Sequence, residues 1–204
     1  TRTKTTRNSL ILLLTAAIWG MAFVSQSKGM DYMHPFTFNG VRSLIGAASI
    51  LVYILISRKI AGDKAAPLDW KLNVKAGLLC GIFLTIASTL QQFGIKYTSV
   101  GKAGFITTLY IIFVPMFGIF LKKKVAPVVW AAAVMAAVGM YLLCMTESLR
   151  LGAGDIMVFL CAIAFAIQIM TVDHYAARID GAVVSCIQFT VCGVVCCIGA
   201  LIWG

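Results

Sequence analysis

Long apolar runs alternate with short polar connections along this chain. About 20 consecutive apolar residues cross a bilayer as a helix, and runs of that kind fall near 9–27, 35–57, 74–95, 99–121, 126–145, 154–173 and 181–203. The pattern predicts an all-α integral membrane protein with about seven transmembrane helices. Helix-breaking residues sit in the connections. Pro35 opens the second run, at a first-turn position that tolerates proline. Pro67 lies in the polar stretch from Arg58 to Lys71, and Gly152 and Gly154 separate the fifth run from the sixth.

Polar residues inside the runs are not scattered. In the third, Thr85, Ser88, Thr89 and Gln92 fall at i, i+3, i+4 and i+7, which is one helical face. In the first, Thr15, Trp19, Ala22 and Gln26 follow a similar stripe, as do Asn39, Arg42, Gly46, Ser49 and Tyr53 in the second. The fourth combines Gly104, Thr107, Thr108, Ile111 and Pro115, with Tyr110 between them. Gln168 lies deep in the sixth run and Gln188 in the seventh. Away from water a polar side chain must pair with another group or line a wet cavity. Small and hydroxylated residues also line ordinary helix contacts in membranes, so each face has two readings, a packing surface or a cavity wall. Trp19 and Tyr110 either close a pocket or fill the core. Trp70 and Trp203, at run ends, are placed as interface anchors.

Composition agrees with the pattern. Hydrophobic residues make up 61% of the 204 and charged residues 12%, about half the charge of a soluble domain, and the mean hydropathy is +0.96. The formal charge of +10 would suggest nucleic acid in a soluble protein, but here the basic residues lie between apolar runs, so nucleic-acid binding is excluded. Their sidedness gives a topology. With the N-terminus in the cytoplasm, that side holds twelve cations: Arg2, Lys4, Arg7, Arg58, Lys59, Lys64, Lys71, Lys75, Lys122, Lys123, Lys124 and Arg178. The other side holds four, Lys28, Lys96, Lys102 and Arg150; Arg42, inside a run, completes the seventeen. Positive residues favour the cytoplasmic face, so a multi-pass protein of the plasma membrane (the inner membrane, in a bacterium) with a cytoplasmic N-terminus is expected. The basic start, Thr1 to Arg7, also matches a signal peptide. A first span is the better reading, because apolar spans fill the rest of the chain.

Arg42 is the sharpest single residue. A guanidinium at the centre of a span costs roughly 2.5–3.5 kcal/mol on insertion scales and does not shed its proton. It snorkels to the headgroups, ties helices together, or faces a carboxylate or phosphate on a substrate. The acidic residues, Asp31, Asp63, Asp69, Glu147, Asp155, Asp173 and Asp180, all lie in connections or near run ends. A proton-coupled cation exporter needs a buried carboxylate, for which Asp155 or Asp173 qualifies only if a boundary is misplaced. The seven cysteines lie within apolar runs with no CxxC pair and no histidine beside them, which reads as small helix- or lipid-facing side chains. No triad, metal cluster or phosphate loop is recognisable. Neither an enzyme nor a cofactor is expected.

The chain restarts in organisation after Gly152. His34–Arg42 can be laid over Asp180–Gln188 at an offset of 146, so that Asn39 meets Ser185 and Arg42 meets Gln188. Residue identity is low, but both segments are second spans of a unit and carry a polar residue about two turns in. A five-span unit followed by its copy is the inverted repeat common among transporters. The division expected is 1–151 for the first five-helix repeat and 152–204 for the first two spans of the second.

Several segments carry a family resemblance. AAIWGMAF (16–23) and HPFTFNGVRSLIGA (34–47) resemble the opening of EamA-type members of the drug/metabolite transporter superfamily. Those proteins show Trp-Gly in span one and a proline seven residues before an arginine in span two, here Trp19, Gly20, Pro35 and Arg42. Residues 94–115, ending in Pro115, are similar to the family's connection from span three into span four. Residues 130–143 are similar to its fifth span, and Gly154-Asp155 to the start of its second repeat. The resemblance implies ten spans in two inverted five-helix repeats around a central cavity, of which the last three spans are absent here. It implies a cavity lined by spans one, three, four and six, and alternating-access export or exchange of amino acids or related solutes. The family often has a Glu-Arg or Glu-Lys pair after span four, where this chain has Lys122, Lys123 and Lys124.

The expected function is therefore transmembrane transport of a small metabolite. Trp19, Arg42, Thr85, Ser88, Thr89, Gln92, Thr107, Tyr110 and Gln168 are the candidate substrate-binding residues, with Pro115 as a kink point. The expected partners are a small-molecule substrate and the lipid bilayer, with a homodimer an open option. A multidrug or cation exporter, a membrane-bound enzyme acting on lipids, and a non-transporting receptor or scaffold are the alternatives.

Overall fold

A computed structural model of the chain describes residues 2–62, 68–120, 126–144 and 152–203. Pro67, Asp63, Lys64, the Lys122–Lys124 run, Glu147 and Arg150 lie outside those residues. The described chain is helical throughout: α1 (Arg2–Gly29), α2 (Pro35–Ala61), α3 (Trp70–Tyr97), α4 (Val100–Thr108), α5 (Tyr110–Phe120), α6 (Pro127–Cys144), α7 (Ala153–Tyr175) and α8 (Gly181–Trp203). Six spans are long and apolar enough to cross a membrane, with α4 and α5 together forming the one at Val100–Phe120. The run expected at 126–145 is α6, whose apolar stretch is shorter, Pro127–Gly139. The protein is thus an all-α membrane protein.

Local chemistry sets the helix ends. Pro35 and Pro127 occupy first-turn positions, where the missing N–H has no helical partner to lose. The Asp69 carboxylate accepts from Leu72 N at 3.0 Å, and Ser99 Oγ accepts from Lys102 N at 3.3 Å, capping α3 and α4. Asp180 Oδ1 does the same for α8, accepting from Ala182 N and Val183 N. At the other end of α2, Gly62 adopts φ 52° and donates its N–H to Arg58 O, a left-handed stop that glycine makes without a Cβ penalty.

The break inside the fourth span lies at Leu109, not at Pro115. Leu109 N donates to Ile106 O, at 3.2 Å, and to Thr107 O, a tight 3₁₀-like turn. One residue earlier, Thr108 Oγ1 donates to Gly104 O at 2.7 Å, a back-bond that bends helices. Pro115 is buried within α5.

In the packing, α3 lies at the centre, against both α7 and α8, and α2 lies along α8. Lipid tails are as apolar as leucine, so helices in a membrane approach through small residues rather than a hydrophobic drive. A Cβ on Gly77 would meet Ile187 at 2.6 Å, and one on Gly81 would meet Val191 at 2.8 Å, both on α8. On another face of α3, Gly94 and Gly154 of α7 bring two backbones together: a Cβ on Gly154 would lie 2.8 Å from Gly94 O. Gly40 against Cys197 and Gly193 against Leu44 do the same between α2 and α8. By contrast α1 touches only α3 and α4 to any extent, and most of its large apolar side chains are exposed, the surface that acyl chains would cover.

The helices alternate in direction, so each end of the bundle gathers particular termini. One end, called here the first end, joins the α1–α2 and α3–α4 connections to the start of α7 and the end of α8. Phe36 stacks on Trp203 there, with centroids 6.0 Å apart, and Thr98 Oγ1 donates to Asp155 Oδ1. The opposite, second end joins the end of α2 and start of α3 to the α7–α8 turn, where Asp180 N donates to Asn73 Oδ1 at 2.9 Å.

Gly154→Val should lower the thermal unfolding midpoint of the detergent-solubilised protein, because the side chain would strike backbone and not a movable side chain; overpacking of this kind costs about 1–3 kcal/mol. Gly139→Ala, with nothing within 4 Å of the added Cβ, should leave the midpoint in place.

Candidate substrate groove and polar network

The sequence-predicted residues divide between two regions. Trp19, Thr107 and Tyr110 line a groove of about 670 Å³ between α1 and the α4–α5 span, together with Leu12, Thr15, Ala16, Gly20, Phe23, Val100, Gly101, Gly104 and Thr108. Small residues make the space: Gly20 has nothing within 4 Å of where a Cβ would stand. The hydroxyl of Thr15 donates to Ile11 O at 2.8 Å. Thr107 accepts from Gln91 Nε2 at 3.4 Å, which ties the groove wall to α3. No lining residue is charged. The groove offers an indole, a phenol, three threonines and apolar surface, the mix of mostly apolar wall and few polar groups typical of small-molecule sites.

Thr85, Ser88, Thr89 and Gln92 continue the Gly77–Gly81 stripe, and so turn mainly toward α8. Ser88 Oγ lies 3.4 Å from Cys192 Sγ, and Thr89 Oγ1 lies 3.8 Å from Cys196 Sγ. Thr85 Oγ1 donates to Gly81 O at 2.7 Å within its own helix. Gln92, fully buried, reaches α1: its Nε2 donates to Gln26 O at 3.3 Å. None of the four lines the α1–α4 groove. Gln168 Nε2 donates to Gln188 Oε1 at 3.0 Å, joining α7 to α8.

Arg42 lies on the exposed side of α2. Its Nη2 donates to Asn39 Oδ1 at 3.0 Å, and its guanidinium stands 5.5 Å from the centre of the Phe38 ring. Asn39, fully buried, donates its Nδ2 to Ser88 O at 2.9 Å on α3. Ser43 Oγ donates to Cys192 Sγ at 3.4 Å. A continuous polar chain therefore runs from Arg42 through Asn39 to the α3 backbone, with the α8 cysteines against Ser43, Ser88 and Thr89.

Two features go beyond the sequence reading. Asp155, placed near a span end, is only 2% exposed, and Lys102, counted as a connection charge, is its partner at 3.0 Å. Gly152 N also donates to Asp155 Oδ2, at 2.9 Å. The signal available was the position itself, since an acidic residue in the first turn of a helix suits the dipole. A second cavity, of about 590 Å³, lies between α3, α5 and α7 at the second end, lined by Leu79, Phe117, Phe120, Ile167, Met170, Thr171, His174 and Tyr175. No run of polar residues announced it. Among the described residues no three His, Cys, Asp or Glu are grouped to hold a metal.

Comparison with known proteins gives these helices a family. The EamA-like transporter family matches residues 7–145. The chain belongs to that family. It is also 31% identical over 171 residues to an uncharacterized transporter of Archaeoglobus fulgidus, a match covering 81% of this chain and 48% of that protein. The EamA-like chain described here thus spans about half the length of this curated relative. No solved structure matches it.

Asn39→Ala should destabilise the EamA-like bundle by about 1–3 kcal/mol, because it removes two hydrogen bonds at once, the one to the α3 backbone at Ser88 O and the one that anchors Arg42. Denaturation in mixed detergent micelles, followed by tryptophan fluorescence, measures the loss.

Proposed function

We propose that this protein moves a small metabolite, such as an amino acid or related solute, across the membrane by alternating access, as part of a fold with two inverted five-helix repeats divided at 151/152. The observation that carries the proposal is the α1–α4 groove in a chain of this family, with Trp19, Thr107 and Tyr110 on its wall. Its uncharged lining suits a neutral or zwitterionic solute presenting an apolar body to the two rings and hydrogen-bonding groups to the threonines. The second cavity adds support, because together the two lie along spans one, three, four and six. Thr85, Ser88, Thr89 and Gln168 serve from behind, holding α3 and α7 against α8, and Gln92 ties α3 to α1. The distribution of lysine and arginine favours a cytoplasmic N-terminus, which puts the second end of the bundle inside the cell.

One observation favours a non-transporting scaffold instead: the polar face of α3 closes on α8 without a cavity. The grooves on the other side of α3 and along α1 outweigh it, since a scaffold has no use for open space facing small and hydroxylated residues.

Reconstituting the full-length protein in liposomes loaded with a mixed metabolite pool tests the proposal. Selective flux of one solute class is expected, falling about tenfold or more, the equivalent of about 1.4 kcal/mol, in Trp19→Ala and in Tyr110→Ala. Flux unchanged in both variants would remove the groove from the pathway, and no flux of any solute from correctly inserted protein would return the scaffold.

A further inference from the structure

Arg42 carries its charge inside a span, and among the described residues no carboxylate pairs with it: the ion pairs there are Arg58–Asp180 and Lys102–Asp155. Asn39 holds the guanidinium by a hydrogen bond but brings no charge. An unanswered charge in a membrane is costly and marks a residue with work to do. The groups that stand within electrostatic reach of Arg42 are two thiols, Cys192 and Cys196.

Those thiols lie four residues apart on α8, hence on one face, and are 1% and 0% exposed. They hydrogen-bond each other. Hydroxyls of two other helices surround them. Ser43 Oγ of α2 donates to Cys192 Sγ at 3.4 Å, Ser88 Oγ of α3 lies 3.4 Å from the same sulfur, and Thr89 Oγ1 of α3 lies 3.8 Å from Cys196 Sγ. Hydroxyl donors and a nearby cation are the surroundings that a metal-bound, anionic sulfur pair requires.

We propose that Cys192 and Cys196 bind one monovalent soft metal ion, of the copper(I) class, with Arg42 balancing the charge. Thiolates select soft ions. Structural zinc takes four ligands, and no three His, Cys, Asp or Glu are grouped among the described residues, whereas copper(I) is satisfied by two sulfurs in line. Side chains four apart on a helix stand about 5–6 Å apart at Cβ, so a small turn of the two thiols admits an ion at about 2.3 Å from each sulfur. Each thiol passes its proton to water as its sulfur–metal bond forms, and the metal keeps its oxidation state. A singly charged cation with two thiolates then carries one negative charge, which Arg42 cancels. Hydrocarbon tolerates that neutral sum; a divalent ion would leave a positive charge behind. Cys197, the next residue and partly exposed, offers an incoming ion its first sulfur. The site is independent of which solute crosses the membrane.

Anaerobic titration of the full-length protein in lipid nanodiscs with copper(I), against excess glutathione to suppress binding by single thiols, tests the site. Copper should be retained, with sulfur neighbours alone in its X-ray absorption spectrum. Cys192→Ser and Cys196→Ser should each lose one ion per chain, while Cys80→Ser and Cys161→Ser, at buried thiols on α3 and α7, should keep it. Arg42→Gln should weaken binding about 10–100-fold, as when a supporting group behind the ligands is lost, and Arg42→Lys should restore it. Bound copper should also raise the unfolding midpoint of the unmodified protein, a readout that needs no variant to fold. No retained ion, no rise in the midpoint, nitrogen or oxygen bound to the metal, full retention in either serine variant of the pair, or zinc(II) held as tightly as copper(I) would overturn the proposal. Unchanged affinity in Arg42→Gln would overturn the charge balance on which the choice of a monovalent ion rests.

Discussion

Close approach at α3 governs the rest of this structure. A helix in lipid gains nothing by hiding leucine from leucine, so contact depends on how near two backbones can come. The glycines of α3 meet α8 at Gly77 and Gly81 and meet α7 at Gly94. That fixes α3 between the last two described helices, and the remaining placements follow. Because Thr85, Ser88, Thr89 and Gln92 continue the glycine stripe, they are carried mainly into the α8 contact. Because Gly40, Gly193 and Gly199 let α2 lie along α8, Asn39 comes within reach of the α3 backbone. Open space is left where α1, which touches little beyond α3 and α4, faces the α4–α5 span.

Much of the helix content was legible because hydropathy reports the bilayer directly. The second and seventh runs begin where α2 and α8 begin, at Pro35 and Gly181, and α7 differs from its run by one or two residues at each end. The larger differences have one cause. α1 starts at Arg2 rather than 9, and α3 at Trp70 rather than 74, because helices continue into the polar interface while an apolar window stops at its edge. The break at Leu109 was less accessible. Proline marks a missing donor in any sequence, whereas the turn at Leu109 depends on a threonine back-bond and on the different neighbours of α4 and α5.

The candidate site was legible in part, and the limit is geometric. Periodicity tells which residues share a face but not what stands opposite. The third-span face was correctly seen as a unit, and its opposing helix decides that it meets cysteines and an α1 carbonyl instead of the groove. Trp19 and Tyr110 are the reverse case. Each was singled out within its own run, and what brings them to one groove is that α1 lies against α4. For Asp155, position in the chain pointed to a polar end, and burial came from Thr98 and Lys102 folding over it.

The two regions also divide the chemical labour of a charged span. Arg42 stays protonated at any accessible pH, so it must be held rather than neutralised. A fully buried asparagine holds it, and the same asparagine binds the backbone of α3 through its other end. The charge is thereby attached to the α2–α3–α8 unit and kept off the wall of the α1–α4 groove, whose lining is neutral. A movement of α1 or of the α4–α5 span would reshape the groove without disturbing the arginine. A movement that parted α3 from α2 would break its anchor. Motion is therefore cheapest in α1, which touches little beyond α3 and α4, and costliest through the polar chain that anchors the arginine.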